Sequence, residues 1–322
     1  MLGGRPGAER ARHALLERAE LAYTALRELG GQATIDEVAS ASGLKRLDAY
    51  YALTKLAEAG FATRERGDDL RLYFKLVRSF NREELLGHKV YVPPGELEIY
   101  ARARAIMAII AREGVEADLI GSCKIHIGTY PHHDRITVDV DVVAFSEAEA
   151  ERLAQILGRE MGLRWDWAWT IIKQPFNDME GGVDIMPGGI KKNPLTYIWM
   201  LSHHLKDHSM LTLEHAVVGK LSKSTIDPTT DAYDAYKGLV YSDLEVLARL
   251  THDVFTSSPE HAENMPRNLN TLLKSRELIK EHGLSVESDW DTLEKLIAEY
   301  KKLTVKKHAA TRHLFKDVKQ EA

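Results

Sequence analysis

The chain has 322 residues, a formal net charge of −5, and 44% hydrophobic against 28% charged residues. That length suits two or three domains, the composition is ordinary for globular protein, and the net charge exerts no global pull toward nucleic acid. A single cysteine, Cys123, excludes an internal disulfide or a Cys-rich zinc site and fits a reducing, cytoplasmic setting. No apolar run approaches the ~18 residues of a membrane span.

Residues 1–90 carry 15 Lys+Arg against 13 Asp+Glu and the remainder 28 against 35, and the first block reads as its own module. Ala14 to Leu29 has apolar residues at helical spacing and stops at Gly30-Gly31. Thr34, three residues before Glu37, predicts a capping box opening a short helix that Ser42-Gly43 ends. Leu44 to Ala59 predicts a further helix. Phe61–Arg66 and Leu70–Val77 read as a basic hairpin about Gly67-Asp68-Asp69. This order resembles a winged helix-turn-helix over about residues 12–78. In that resemblance Lys45, Arg46, Tyr50 and Lys55 face DNA from the recognition helix, with Arg64, Arg66 and Arg71 on the wing. Protein docking is the alternative use of such a module.

Tyr91-Val92-Pro93-Pro94-Gly95 marks a boundary, because consecutive prolines cannot continue a helix. Glu96 to Arg112 predicts a helix, and Asp118-Leu119-Ile120 a strand running into Gly121-Ser122. The glycine lets backbone approach a phosphate, and a helix starting there would aim N–H groups at it. Lys124 lies near in sequence.

Arg135-Ile136-Thr137-Val138-Asp139-Val140-Asp141 follows. Side chains alternate along a strand, so Asp139 and Asp141 emerge on one face about 6.5–7 Å apart, while the valines enter a core. Two carboxylates held so close repel unless a cation sits between them, and oxygen-only ligands suit Mg²⁺ or Mn²⁺. A metal-bound nucleoside triphosphate is the natural substrate of such a pair. A third acidic residue, Asp184, stands in the apolar run Val183–Met186.

Gly-Ser, Asp-x-Asp and a later carboxylate resemble the nucleotidyltransferase fold signature. The closer similarity, over roughly residues 100–255, is to AbiEii-type abortive-infection nucleotidyltransferases (MenT-like toxins). Their Arg-x-Ser/Thr-x-Asp-x-Asp, Lys-Leu and Asp-x-x-Asp elements read here as Arg135 to Asp141, Lys220-Leu221 and Asp231 to Asp234. The family's paired glycines are Gly121-Ser122, and its basic residue before Asp-x-x-Asp is Thr230. The resemblance implies an α+β (α/β) nucleotidyltransferase domain with a mixed sheet. It implies catalytic, metal-holding Asp139, Asp141 and Asp184, and nucleotide contacts from Gly121, Ser122, Arg135, Thr137, Lys220, Asp231 and Asp234. It further implies NTP as substrate, tRNA or a protein hydroxyl as acceptor, a toxin or phage-defence role, and an antitoxin partner. A DNA-binding regulator whose transferase domain only senses nucleotide is the rival reading.

Ser146, with Glu149 as box partner, predicts a helix to Met161 that Gly162 ends. Leu163 to Lys173 reads as one long strand with Trp165, Trp167 and Trp169 on one face, a stacking platform or a packed surface. His203, His204, Asp207 and His208 suggest zinc less well than a polar helix face, and His126, His132 and His133 suggest a hydrated loop. Leu213 to Leu221 and Asp243 to Phe255 are helical in pattern. Beyond residue 257 come two segments, Asn264–Glu281 and Asp289–Lys319. The second carries Lys301, Lys302, Lys306, Lys307, Arg312, Lys316 and Lys319, either a nucleic-acid-binding run or a solvated face. The expected domains are therefore 1–90, 91–257 and 258–322, the last a C-terminal helical region.

Overall fold

The computed structural model describes residues 6–166, 171–176, 179–188, 201, 203–205, 210–286 and 290–315. It is an α+β protein. α1 (Pro6–Glu28) buries Leu15, Ala19, Ala22 and Leu26, a stripe at helical spacing. Gln32–Thr34 is a short strand, β1, pairing antiparallel with Tyr73–Lys75. Thr34 caps α2 (Ile35–Ser42) in the expected box with Glu37, and Gly43 ends the helix in the left-handed region. α3 (Arg46–Glu58) leads to β2 (Ala62–Arg66) and β3 (Leu72–Leu76), completing an antiparallel sheet of order β1-β3-β2, and a short helix, α4 (Arg82–Leu85), follows.

A second sheet, mixed and five-stranded, has the order β4-β5-β8-β7-β6. Its strands are β4 (Ala117–Leu119), β5 (Asp139–Ala144), β6 (Arg164–Asp166), β7 (Ile171–Phe176) and β8 (Met179–Pro187). β5 runs antiparallel to β4 and parallel to β8, with Asp141 opposite Asp184. Val140, Val142, Val183 and Ile185 turn to one face. There they share a core with α5 (Glu98–Glu113) and α7 (Glu147–Met161). The aspartates, at odd positions of β5, turn to the other face.

Beyond residue 210 the described chain is helical: Leu213–Leu221, Thr230–Val240, Leu244–Ser257, Pro259–Ala262, Asn264–Lys274, Arg276–Glu281, Trp290–Lys307 and a final 3-10 helix, Ala309–Phe315. Their core is continuous with that of the first ninety residues: Leu26, Val38, Leu53 and Phe74 belong with Leu211, Leu221, Tyr236, Leu247 and Leu293. No described helix is long and apolar enough to cross a membrane.

Two local expectations change. Ser146 does cap α7, but the Glu149 carboxylate accepts from the Glu116 N–H at 2.9 Å instead of closing a box. The single strand over Leu163–Lys173 is two, since Arg164 pairs antiparallel with Lys173 and the chain reverses between them. Trp167 and Trp169, two of the three indoles expected on one face, lie outside the described residues.

Candidate active site

Period-two geometry and strand register build the acidic centre. Asp139 and Asp141 share a face of β5, and parallel pairing sets Asp184 on β8 directly beside Asp141. The three half-buried side chains converge until one oxygen of each lies within 4.8 Å of the others. Thr137 donates to Asp139 Oδ1 at 3.0 Å, fixing that carboxylate from just outside the strand.

α6 (Gly121–Thr129) begins against this centre, and no side chain caps it. Gly121 has φ +64°, and a Cβ there would lie 2.2 Å from Asp141 Oδ2, so glycine is required twice over. Ser122, one residue on, is a hub. Its Oγ donates to Asp234 Oδ2 at 2.7 Å and accepts from Arg135 Nη1 at 2.9 Å and Lys220 Nζ at 3.2 Å. Lys220 also pairs with Asp231 at 2.6 Å and Asp234 at 2.9 Å. Asp231 and Asp234 share one face of the helix Thr230–Val240, as their i, i+3 spacing requires. Every residue expected at the metal or nucleotide thus falls in one connected cluster, drawn from β5, β8, α6, the preceding turn and two later helices.

Its electrostatics divide sharply. Burial, with Asp139 and Asp184 alongside, pushes Asp141 up to about 7 even though Lys220 pulls the other way. Asp234 goes the opposite way. Burial raises it, but Lys220, His133 and Arg135 outweigh that and hold it far below the carboxylate range. Asp231 is lowered too, Lys220 and Lys223 overcoming its burial. One side of the cluster is acidic; the other is rich in paired cations.

Four residues here were not assigned from sequence. Lys223 pairs with Asp231 at 2.8 Å. His133 meets Asp234 Oδ1 at 2.9 Å, and His126 reaches back from His133 to Glu96 at 3.3 Å. A hydrated loop was expected for these histidines; both are buried. His126, near the end of α6, and His132 and His133, just beyond it, are three histidines close together in the chain, and that density was the sequence signal for the pair.

Other candidates lie elsewhere. Lys124 is fully buried, held by Glu58 at 2.8 Å and Asp118 at 3.1 Å, and does not reach the cluster. Two residues past Ser122 on a helix is about 200° of rotation, which aims it at the opposite side. Cys123 is buried and burial raises its thiol, so it is a packed small residue and not a reactive one. His204 contacts His215 at 3.0 Å, while Asp207 and His208 lie outside the described residues. Lys302, Lys306, Lys307 and Arg312 are exposed and Lys301 half-buried; Lys316 and Lys319 lie outside the described residues.

The side chains expected to face DNA require a correction. Tyr50 and Arg64 are buried, and both bond Glu214, Arg64 at 3.0 Å. Arg66 donates to the Val240 carbonyl at 2.7 Å, and Arg46 pairs with Asp243 at 2.7 Å. Lys55 is half-buried and its pKa is lowered by burial. Only Lys45 of the six, and Arg71 beside Asp69, are exposed. The physical reason is that this face packs on the later helices: buried Glu214 takes Arg64 and Tyr50, Asp243 takes Arg46, and the Val240 carbonyl takes Arg66. Compared with protein-family models, curated proteins and solved structures, the chain has no match to any of them.

Proposed function

We propose that this chain is a nucleotidyltransferase that moves a nucleoside monophosphate from a nucleoside triphosphate to a hydroxyl acceptor in the presence of Mg²⁺ or Mn²⁺. The observation that carries the reading is the convergence of three carboxylates on parallel β5 and β8 opposite the start of α6 and its Ser122–Arg135–Lys220 cluster. The donor set fits the metal: all oxygen and hard, with burial first and then the neighbouring Asp139 and Asp184 raising Asp141. Asp139, Asp141 and Asp184 would hold the ion, which when bound neutralises charge on the phosphoryl oxygens.

The chain's own groups account for the rest. Gly121 keeps the α6 start clear of any side chain, so its backbone N–H groups face an incoming anion. Lys220 is a compact cation for the triphosphate, and Arg135 keeps a buried Nε without a hydrogen-bond partner among the described residues. The acceptor hydroxyl attacks the α-phosphorus, its proton passes to Asp184, and the α–β P–O bond breaks to release pyrophosphate. An RNA 3′ end, tRNA in particular, or a protein hydroxyl is the acceptor class, within a toxin or phage-defence role. The N-terminal helices and hairpin serve as a winged-helix-like unit docked on the helices after residue 210. We favour the enzyme over a DNA-binding regulator because four of the six side chains assigned to DNA, Arg46, Tyr50, Arg64 and Arg66, are bonded within the protein.

The test is label transfer from each of the four α-³²P-labelled nucleoside triphosphates, with Mg²⁺, into total tRNA and into the protein itself. Transfer that vanishes in Asp139→Asn/Asp141→Asn supports the reading. Folded wild-type chain that transfers nothing to either acceptor overturns it.

A further inference from the structure

Behind the cluster, two histidines bridge two carboxylates. His126 Nε2 lies 3.3 Å from Glu96 Oε1, the Nδ1 atoms of the two rings face each other at 3.4 Å, and His133 Nε2 lies 2.9 Å from Asp234 Oδ1. The side chains of Glu96, His133 and Asp234 are wholly buried and that of His126 is 8% exposed, so the chain of contacts lies inside the protein. Both ends are ionised. Arg104 Nε grips the Glu96 oxygens at 2.9 and 2.7 Å, and Asp234 is flanked by Arg135 and Lys220.

Counting hydrogens decides the charge. A neutral imidazole has one N–H and one acceptor nitrogen; an imidazolium has two N–H groups. Each contact to an ionised carboxylate needs a hydrogen, and the Nδ1–Nδ1 contact needs one more, making three. Two neutral rings bring two, leaving one contact with acceptor facing acceptor. Two imidazolium rings bring four, and then the Nδ1–H groups oppose each other. One excess proton on the pair satisfies all three contacts. A buried unpaired polar group is costly, which favours the complete arrangement.

We propose that His126 and His133 share one excess proton, and that the singly charged pair positions Asp234 by remaining its cation when Arg135 and Lys220 turn to a triphosphate. This rests on the nucleotidyltransferase reading for its role, though not for its charge state. Without that fixed partner Asp234 would hold Arg135 and Lys220 more tightly against the incoming phosphates.

The surroundings speak against a doubly charged pair. Tyr100 stacks on His126 with ring centroids 3.4 Å apart, Tyr130 meets its edge, and Tyr233, bonded to Asp134, packs on His133. The charged groups nearby are Arg104 behind Glu96, and Arg135 and Lys220 across Asp234. Burial, together with His133 and against the pull of Glu96, pushes His126 down to about 4, so a second excess proton is refused in the neutral range.

The test is ¹⁵N NMR of the imidazole rings in the full chain from pH 5.5 to 8.5, with the two residues assigned through His126→Gln and His133→Gln. At pH 7 three of the pair's four ring nitrogens should be protonated. In Glu96→Gln the amide donates to His126 Nε2, so the pair should fall to two protons. Two neutral rings in the wild type, unchanged by Glu96→Gln, overturn the shared proton. His133→Gln keeps a donor to Asp234 but no charge; it should raise the KM for nucleoside triphosphate about tenfold while kcat stays within about threefold. An unchanged KM overturns the positioning role. An inactive wild type would sink the transferase reading alone, because the ring spectra still report the proton count.

Discussion

A Cβ on Gly121 would stand 2.2 Å from Asp141 Oδ2, so the start of α6 and the acidic centre are in closer contact than any side chain permits. Gly121→Ala should therefore cut Mg²⁺-dependent transfer at least about tenfold. It should also cost about 1–3 kcal/mol of stability from the strained φ and the displaced carboxylate. Kinetics and chemical denaturation on one preparation measure both, and wild-type activity in Gly121→Ala would contradict the close approach.

Asp141 gives the pH dependence its sign. Its folded pKa, about 7, lies above the ordinary 3.8. The native state therefore binds more protons than the unfolded chain between those values, and stability falls as pH rises through that window. Asp141→Asn removes the penalty. In metal-free buffer it should raise stability, read as a higher Tm, by a free energy that grows from pH 4 to pH 7, bounded at about 4 kcal/mol and reduced by solvent screening. The same substitution should abolish transfer. A Tm difference that does not vary with pH would contradict the assigned cause.

Lys220 sits between Asp231, Asp234 and Ser122. Lys220→Ala should weaken binding of a non-hydrolysable nucleoside triphosphate about 10–100-fold, the range for losing a charge-assisted hydrogen bond. Calorimetric titration measures it. Binding within about twofold of wild type would remove Lys220 from the nucleotide site.

Arg64 and Glu214 form an ion pair with both side chains at 0% exposure. Arg64→Leu should cost about 3–5 kcal/mol by leaving that carboxylate uncompensated. Lys45→Glu, on the exposed flank of the same module, should change stability by less than about 0.5 kcal/mol. Denaturant unfolding of the two variants tests the docking: equal, small effects would mean that the module is not anchored there.

Local chemistry was legible in the sequence. Thr34 with Glu37, the Ser146 cap, the Gly162 stop and the odd positions of Asp139 and Asp141 each follow from a period or a cap that a few neighbouring residues define. The distant member Asp184 was legible as an acid in an apolar run, although its register opposite Asp141 was not. What failed depended on partners far along the chain. Arg64 and Arg66 look like a DNA-binding wing until Glu214 and the Val240 carbonyl, about 150 and 174 residues away, claim them. Lys124 looked near the phosphate site until Glu58 and Asp118 turned it inward. His126 and His133 gave no pattern from which a bridge between Glu96 and Asp234 could be read.

The in-register pairing of β5 with β8 has a consequence for how the protein acquires its chemistry. Because side chains alternate, a slip of one residue would carry Asp184 to the face of Val183 and bring an apolar residue to its place. The β4–β5 pair can form early, since its strands are near in sequence, but it holds two carboxylates and no third. β8 follows β5 in the chain only after α7 and the β6–β7 hairpin, so the third carboxylate joins the other two through a pairing of strands far apart in sequence. Any form of the chain that lacks this pairing holds two carboxylates on β5 and no third.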